Sequence, residues 1–353
     1  YSLRNIMQYP LSYFSIFVHA KSEDDTNNGT EAYPVKTISA AVSLCYYNNP
    51  NDRKNNIIIK NTWKIEENIN IDVTNNFEIS IIAKTYTTMS GALQSTSNLT
   101  LQGIVFEDFN IYPLANIDIY YCTFTRSYIN SSVPVDMTIK NCEILDGQNS
   151  FIRVNNRLFP SPFVFPYMQN INVETDNKQN INDTRIATSD DESIHPGDVS
   201  YNILDTNSYY GQISVFRCLI ARNKDSIVNY DTTVDWPSSF AFSKCTFISN
   251  KKVLETTKYN LQVDVSDSVF FQNADTANNV LELFDSNSPI TIRKSFIDFD
   301  SDVDINTGVG AVFGLDVCIG GVGIDPEFIN TDSTKASLDY HLKSTARGFL
   351  LDS

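Results

Sequence analysis

The chain has 353 residues, with 42 acidic side chains against 26 basic ones and a formal charge of −16. That balance argues against nucleic acid and anionic membrane as partners, and no apolar run reaches the roughly 18 to 20 residues of a membrane-spanning helix. The length would allow two domains, yet a stack of repeats adds layers without enlarging its core, and the repeat described below fits one domain over 18–353.

The chain opens on an apolar, β-prone segment, Tyr9-Pro-Leu-Ser-Tyr-Phe-Ser-Ile-Phe-Val18. Residues 1–17 do not read as a signal peptide. They are expected either to pair along the first layer or to add as an assembly strand to a neighbouring subunit, with Tyr13, Phe14 and Phe17 at that contact. Thr37 is placed to N-cap a short helix in which Ile38, Ala41, Val42 and Cys45 share one face, a lid for the open end of the core.

A pattern of apolar, two polar, small, any, apolar then returns seven times, from Leu101-Gln-Gly-Ile-Val-Phe106 through Ile119-Tyr-Tyr-Cys-Thr-Phe124 to Ile292-Arg-Lys-Ser-Phe-Ile297. Its small position is held by Ile104, Cys122, Cys142, Cys218, Cys245, Ser268 and Ser295. Alternating strands such as Leu261-Gln-Val-Asp-Val265 precede most copies, and a strand so short buries its apolar face only against another layer. The pattern therefore predicts an all-β fold, a right-handed parallel β-helix, with coils about 4.8 Å apart and equivalent side chains in ladders. One ladder is the Cys and Ser column; a second is Phe106, Phe124, Ile144, Ile220, Phe247, Phe270 and Ile297. Asn223, Asn250 and Asn273 are expected at one corner, in left-handed backbone, with amides paired to the next coil.

Four of the six cysteines share one inward register. Either Cys122 bridges Cys142 and Cys218 bridges Cys245, or the column consists of buried free thiols. Cys45 and Cys318 lie near opposite ends and are not expected to pair. Arg217, Lys244 and Lys294 share one repeat position, with Lys140 one residue earlier in its copy; the expectation is a surface charge column, the alternative a base for a lyase reaction.

From about 146 to 210 the repeat lapses into an insertion containing Leu158-Phe-Pro-Ser-Pro-Phe-Val-Phe-Pro-Tyr167. Such a run is too apolar for water, so Phe159, Phe163, Phe165 and Tyr167 are expected to pack on the solenoid flank or on another molecule. Further on, Asp298-Phe-Asp-Ser-Asp-Val-Asp-Ile-Asn306 places oxygen donors at alternate residues. Asp298, Asp300, Asp302 and Asp304 are thus candidate Ca²⁺ ligands, without the Gly and distal Glu of an EF-hand; no other cofactor is expected. Sequons at Asn28, Asn98, Asn130 and Asn182 are candidate glycosylation sites if the chain is secreted.

Two stretches carry a family resemblance. Val18-His-Ala-Lys-Ser-Glu-Asp-Asp-Thr-Asn-Asn-Gly-Thr30 with Tyr33-Pro-Val-Lys-Thr-Ile-Ser-Ala-Ala-Val42, and the close Asp325-Pro-Glu-Phe328 with Asp339-Tyr-His-Leu-Lys-Ser344, resemble right-handed parallel β-helix proteins of the pectate-lyase-like superfamily. The resemblance implies a secreted or cell-surface location and a fold that hosts lyases, hydrolases, adhesins and inert surface repeats alike. Its hydrolase branch carries Asn-Thr-Asp, paired Asp, Gly-His-Gly and Arg-Ile-Lys in that order. Here Asn330-Thr-Asp332 lies beyond the last repeat, the last two motifs do not occur, and His19, His195 and His341 are far apart in the chain. The reading this favours is a non-catalytic surface glycoprotein with a structural, adhesive or filament-forming role, self-associating through its ends or insertion. The competing reading is a Ca²⁺-dependent polysaccharide lyase or other carbohydrate-active enzyme.

Overall fold

The computed structural model describes residues 14–22, 24–48, 54–60, 64–72, 77–133, 135–154, 211–230, 238–256, 261–271, 284–286, 290–297, 313–316, 319–320, 328–330 and 339–342. Apart from an antiparallel pair, Phe328–Asn330 with Asp339–Leu342, its strands stack in parallel, coil upon coil. The first sheet has 11 strands, from Phe14–Val18 through Ile117–Tyr120, Met137–Lys140 and Gly211–Phe216 to Phe313–Asp316. The second runs through Thr123–Thr125, Glu143–Leu145, Leu219–Ala221 and Thr246–Ile248, and the third through Tyr128–Ser131, Ile152–Val154, Ser226–Tyr230 and Lys252–Thr256. The long strand Val105–Pro113 belongs to both, pairing at its start with Thr123–Thr125 and further on with Tyr128–Ser131. Three faces wound this way make a right-handed parallel β-helix, because crossovers between parallel strands are right-handed almost without exception.

Alternation in each strand sends one set of side chains inward, and the register piles them up. In the first sheet Leu101, Ile119, Ile139, Val215, Phe242, Val265 and Ile292 stand over one another. In the second the expected column forms from Phe106 to Ile297, with Phe106 and Phe124 stacked at 4.9 Å and Phe247 and Phe270 at 4.6 Å. All of them are buried. This continuous dry interior is the main stabilising term of the fold. On the outer side of the second sheet Ala221, Ile248, Val269, Phe271 and Phe296 form a separate buried apolar cluster, against which Leu145 and Leu219 pack.

The small-residue column sits where the first sheet turns into the second. There the Cys122 amide donates to Cys142 Sγ at 3.4 Å, the Cys245 amide to Ser268 Oγ at 3.2 Å and the Ser268 amide to Ser295 Oγ at 3.1 Å. Sulfur and hydroxyl therefore do the same work, accepting a bond from the coil before. Cys45, Cys122, Cys142, Cys218 and Cys245 are free, buried thiols, which decides between the two cysteine readings. Burial pushes the Cys142 and Cys245 thiols up, and Cys45 up to about 12.

The asparagine corner, between the second and third sheets, needs one correction. Asn223 and Asn250 are stacked as expected, with Asn223 Nδ2 donating to Asn250 Oδ1 at 2.7 Å and the Gly147 amide to Asn223 Oδ1 at 2.9 Å. The left-handed residue, however, is the one before each of them, Arg222 at φ 58° and Ser249 at φ 52°. That twist turns the following Asn inward, where its amide serves backbone groups that the corner strands of hydrogen bonds leave open. Asn273 lies outside the described residues.

The lid is as the sequence predicts. Helix Ile38–Asn48 buries Ile38, Ala41, Val42 and Cys45, and the Ala40 amide donates to Thr37 Oγ1 at 3.1 Å. Its first turn is also held by Glu67, whose carboxylate accepts from the Ile38 and Ser39 amides at 2.9 and 2.8 Å. A carboxylate at a helix N-terminus suits both the open amides and the dipole. Phe14–Val18 pairs in parallel with Lys54–Ile59 of the same chain, and its outer edge is covered by Gly29 and Val35.

Candidate functional site

The seven first corners from Gly103 onward are built the same way. The residue before each small position has positive φ: Gly103, Tyr121, Asn141, Arg217, Lys244, Asp267 and Lys294. In the six after Gly103 this places one side chain per coil on the outer edge between the first and second sheets. The residue before it ends the first-sheet strand facing outward, so Tyr120, Lys140, Phe216, Ser243, Ser266 and Arg293 form a parallel column one step away.

In three consecutive coils these two columns bring together Lys140, Phe216, Arg217 and Lys244. The ammonium of Lys140 lies 5.2 Å from the centre of the Phe216 ring and the guanidinium carbon of Arg217 lies 5.0 Å from it. A ring between two cations is a cation–π arrangement that fixes both long side chains along the edge. Half-buried hydroxyls border it, Thr138 and Ser214 on the strand and Ser243 and Thr246 one coil on, and Ser266 Oγ donates to Ser243 Oγ at 3.0 Å. Glu143 stands at the rim on the exposed second-sheet face. Two coils further, Arg293 and Lys294 add positive charge, although Arg293 Nη2 is 3.4 Å from Asp264 Oδ1 and Asp267 shares the corner. In a chain of net charge −16, this edge is a local reversal of sign. Such an edge can hold carboxylates, since guanidinium and ammonium groups bind them directly and the neighbouring hydroxyls give and accept bonds.

The second corner is organised differently. Asp108, Arg126, Asp146 and Arg222 occupy its positive-φ positions in successive coils, and the charges alternate. Arg126 grips Asp108 through Nε and Nη2, both at 2.9 Å, and Arg222 grips Asp146 at 2.7 and 2.8 Å. The bond from Arg222 holds the Asp146 carboxyl below the usual carboxylate range, and that from Arg126 does the same for Asp108. This edge is self-neutralised and leaves little charge for a ligand.

The residues singled out from sequence are dispersed. Asn28 lies in an exposed turn with its Oδ1 accepting from the Thr30 amide and hydroxyl at 3.1 and 2.8 Å, Asn98 is exposed at the start of a strand, and Asn130 is 7% exposed within one. Phe14 packs against the core, whereas Phe17 faces outward with the Lys60 and Lys84 ammonium groups 5.8 and 5.4 Å from its ring. His19 accepts from the Lys21 amide at 3.1 Å, and His341 is part of strand Asp339–Leu342. Asn182, His195, Cys318, Tyr13, Phe159, Phe163, Phe165, Tyr167 and the Asp298, Asp300, Asp302 and Asp304 run lie outside the described residues. Among the described residues no three His, Cys, Asp or Glu side chains group as metal ligands. Of the basic residues expected at one repeat position, Arg217 and Lys244 occupy it in successive coils, Lys294 follows only after Asp267, and Lys140 ends its strand in the neighbouring column. What sequence reasoning missed was Phe216 among these side chains, whose only signal was its place at the end of a first-sheet strand, next to a basic corner residue.

No protein-family model matches the sequence, and no curated protein matches it either. Among solved structures, a rhamnogalacturonan lyase aligns over 82% of this chain and 75% of its own, at 9% identity and a TM-score of 0.38. The pectate lyase Pel9A aligns over 94% of this chain and 90% of its own, at 10% identity and a TM-score of 0.33.

Proposed function

We propose that this protein is a surface or secreted β-helix that binds an acidic polysaccharide along its first corner, at Lys140, Phe216, Arg217 and Lys244. The observation that supports this reading is the three-coil strip of cations around Phe216 in an otherwise strongly acidic chain. A chain of net charge −16 repels polyanions at long range, so an acidic glycan is held only where the sign reverses locally. The coils repeat about every 4.8 Å, so a polyanion laid across them meets cations at regular intervals. Uncharged glycans lack that pairing and are expected to bind far less well.

This reading belongs with the carbohydrate-active proteins of the fold, and it also suits an adhesive rod that grips a polysaccharide matrix. The test is electrophoretic retardation in gels containing polygalacturonate or dextran. Polygalacturonate is expected to retard the protein, dextran is not, and Lys140→Ala with Arg217→Ala and Lys244→Ala is expected to weaken the retardation about tenfold. Equal retardation of the triple variant would overturn the proposal. Growth of ultraviolet absorbance from unsaturated sugar ends would extend binding to lyase cleavage.

A further inference from the structure

Three of the four sequons lie among the described residues, and the fold treats them differently. Asn130 is buried within strand Tyr128–Ser131, and Asn98 opens a strand paired on both sides, with Glu78–Ala83 and with Ile117–Tyr120. The first sequon, Asn28-Gly29-Thr30, is a turn laid against Phe14–Val18, the outermost strand of the first sheet. Its middle residue is the anchor. Gly29 is buried, its carbonyl accepts from the Phe17 amide at 2.8 Å and its own amide donates to the Tyr33 carbonyl at 3.1 Å. At φ 73° its backbone is one that side chains disfavour, and a Cβ there would lie 2.8 Å from Ile16 Cγ2 and 3.0 Å from Leu44 Cδ1. On either side of this anchor Asn28 and Thr30 stay exposed.

The two exposed side chains are joined to each other. Asn28 Oδ1 accepts from the Thr30 amide at 3.1 Å and from the Thr30 hydroxyl at 2.8 Å, and Asn28 Nδ2 has no hydrogen-bond partner among the described residues. We infer that Asn28 is a site of N-linked glycosylation, and that of the described sequons it is the one the folded chain presents for it. The inference rests on the surface or secreted location proposed above, not on the acidic-glycan strip. In the transfer, Nδ2 bonds to the anomeric carbon of a lipid-linked pyrophosphoryl oligosaccharide and the bond from that carbon to the phosphate oxygen breaks. The lipid pyrophosphate leaves, and a base of the transferase takes one amide proton. The modified amide keeps its oxygen, so both bonds from Thr30 survive. A glycan is bulky and needs solvent. At Asn28 it extends from the outermost layer of the stack, whereas at Asn130 it would have to displace the packing that buries that side chain.

The experiment is expression of the full chain behind a secretory leader in a eukaryotic host and, in parallel, its translation into microsomes. Glycopeptides are mapped by mass spectrometry before and after treatment with peptide N-glycosidase. A glycan is expected at Asn28 of the translocated, protease-protected chain and none at Asn130 of the folded protein. Asn28→Gln and Thr30→Ala should each abolish the first, while Thr30→Ser, which keeps the hydroxyl, should retain it. All three replace exposed side chains, so loss of the glycan is not loss of the fold. A translocated chain bare at Asn28, a glycan that persists there in Thr30→Ala, or one carried by Asn130 in folded protein sinks the inference. Retardation by polygalacturonate is read on the same preparations. A bare Asn28 with retardation intact removes this site alone, and a glycosylated Asn28 without retardation removes the acidic-glycan strip alone.

Discussion

Two columns climb the wall of this rod close to each other and obey opposite rules. The inner one, Phe106, Phe124, Ile144, Ile220, Phe247 and Phe270, repeats like with like. The outer one at the second corner, Asp108, Arg126, Asp146 and Arg222, changes sign at each step. Apolar side chains stacked in register gain contact with copies of themselves, so sameness is favourable inside. Charges at the same spacing repel if alike, so the outside must alternate or give way to another residue type. The first corner departs from that rule with Arg217 and Lys244 in successive coils and Lys140 in the column beside them, and a departure of this kind on an outer edge is where a ligand is expected to supply the missing charge.

The contrast can be broken at its strongest point by Phe247→Ala. Phe247 is fully buried between Ile220 and Phe270, so the variant should lose about 3 to 5 kcal/mol of stability in chemical denaturation. A loss below about 1 kcal/mol would mean that the column contributes little. Because each coil contacts only its neighbours, the damage should also be local, with early amide exchange in the coils of Cys218 and Ser268 rather than throughout.

A smaller effect is expected from Asn223→Ala, which strips the Gly147 amide of its acceptor and leaves Asn250 Oδ1 with the Asn223 backbone amide alone. One buried donor is then left open, and a loss of about 1 to 3 kcal/mol follows. Replacing Gly147 should be worse tolerated than its corner position suggests, since a Cβ there would lie 2.4 Å from Asn223 Oδ1.

The least effect belongs to the outer ladder. Asp146 and Arg222 are both partly exposed, so Asp146→Asn should cost below about 1 kcal/mol at neutral pH. Arg222 depresses the folded-state value of Asp146. Its contribution is therefore present above the ordinary carboxylate range and fades as pH falls through the depressed value. Denaturation midpoints of wild type and Asp146→Asn should draw together as pH falls below the ordinary carboxylate range; a gap that stays constant through that fall would show that the pair adds nothing through charge.

The sequence made the inner rule plain and the outer rule obscure, for one physical reason. An interior position sees the same surroundings in each coil and so keeps one residue type, which is why Cys122, Cys142, Cys218 and Cys245 announce their column. A corner position needs only a backbone that accepts positive φ, and Tyr121, Asn141, Arg217 and Asp267 all meet that need at the same place. No residue type marks it. The pairs of the outer ladder are also hidden by distance, Arg126 lying 18 residues from Asp108 and Arg222 lying 76 from Asp146. At the lid, the apolar stripe and Thr37 were legible from local spacing, whereas Glu67 reaches the helix from 29 residues away. Phe216 belongs to the same class: its neighbours Lys140 and Arg217 meet around it only because the coils are in register. Asn130 read as a sequon, and only the strand pairing turns it into a buried acceptor.

One feature of the stack bears on how such a rod is modified. Between Lys140 and Phe216 the chain makes a long excursion, yet Met137, Thr138, Ile139 and Lys140 still pair one for one with Ile213, Ser214, Val215 and Phe216. Since closing a loop costs only slightly more as it lengthens, the register of the flanking strands is expected to hold for connections of very different length, which makes this point in the chain suited to grafting. Foreign cargo of very different size could be spliced there without altering the pitch of the scaffold.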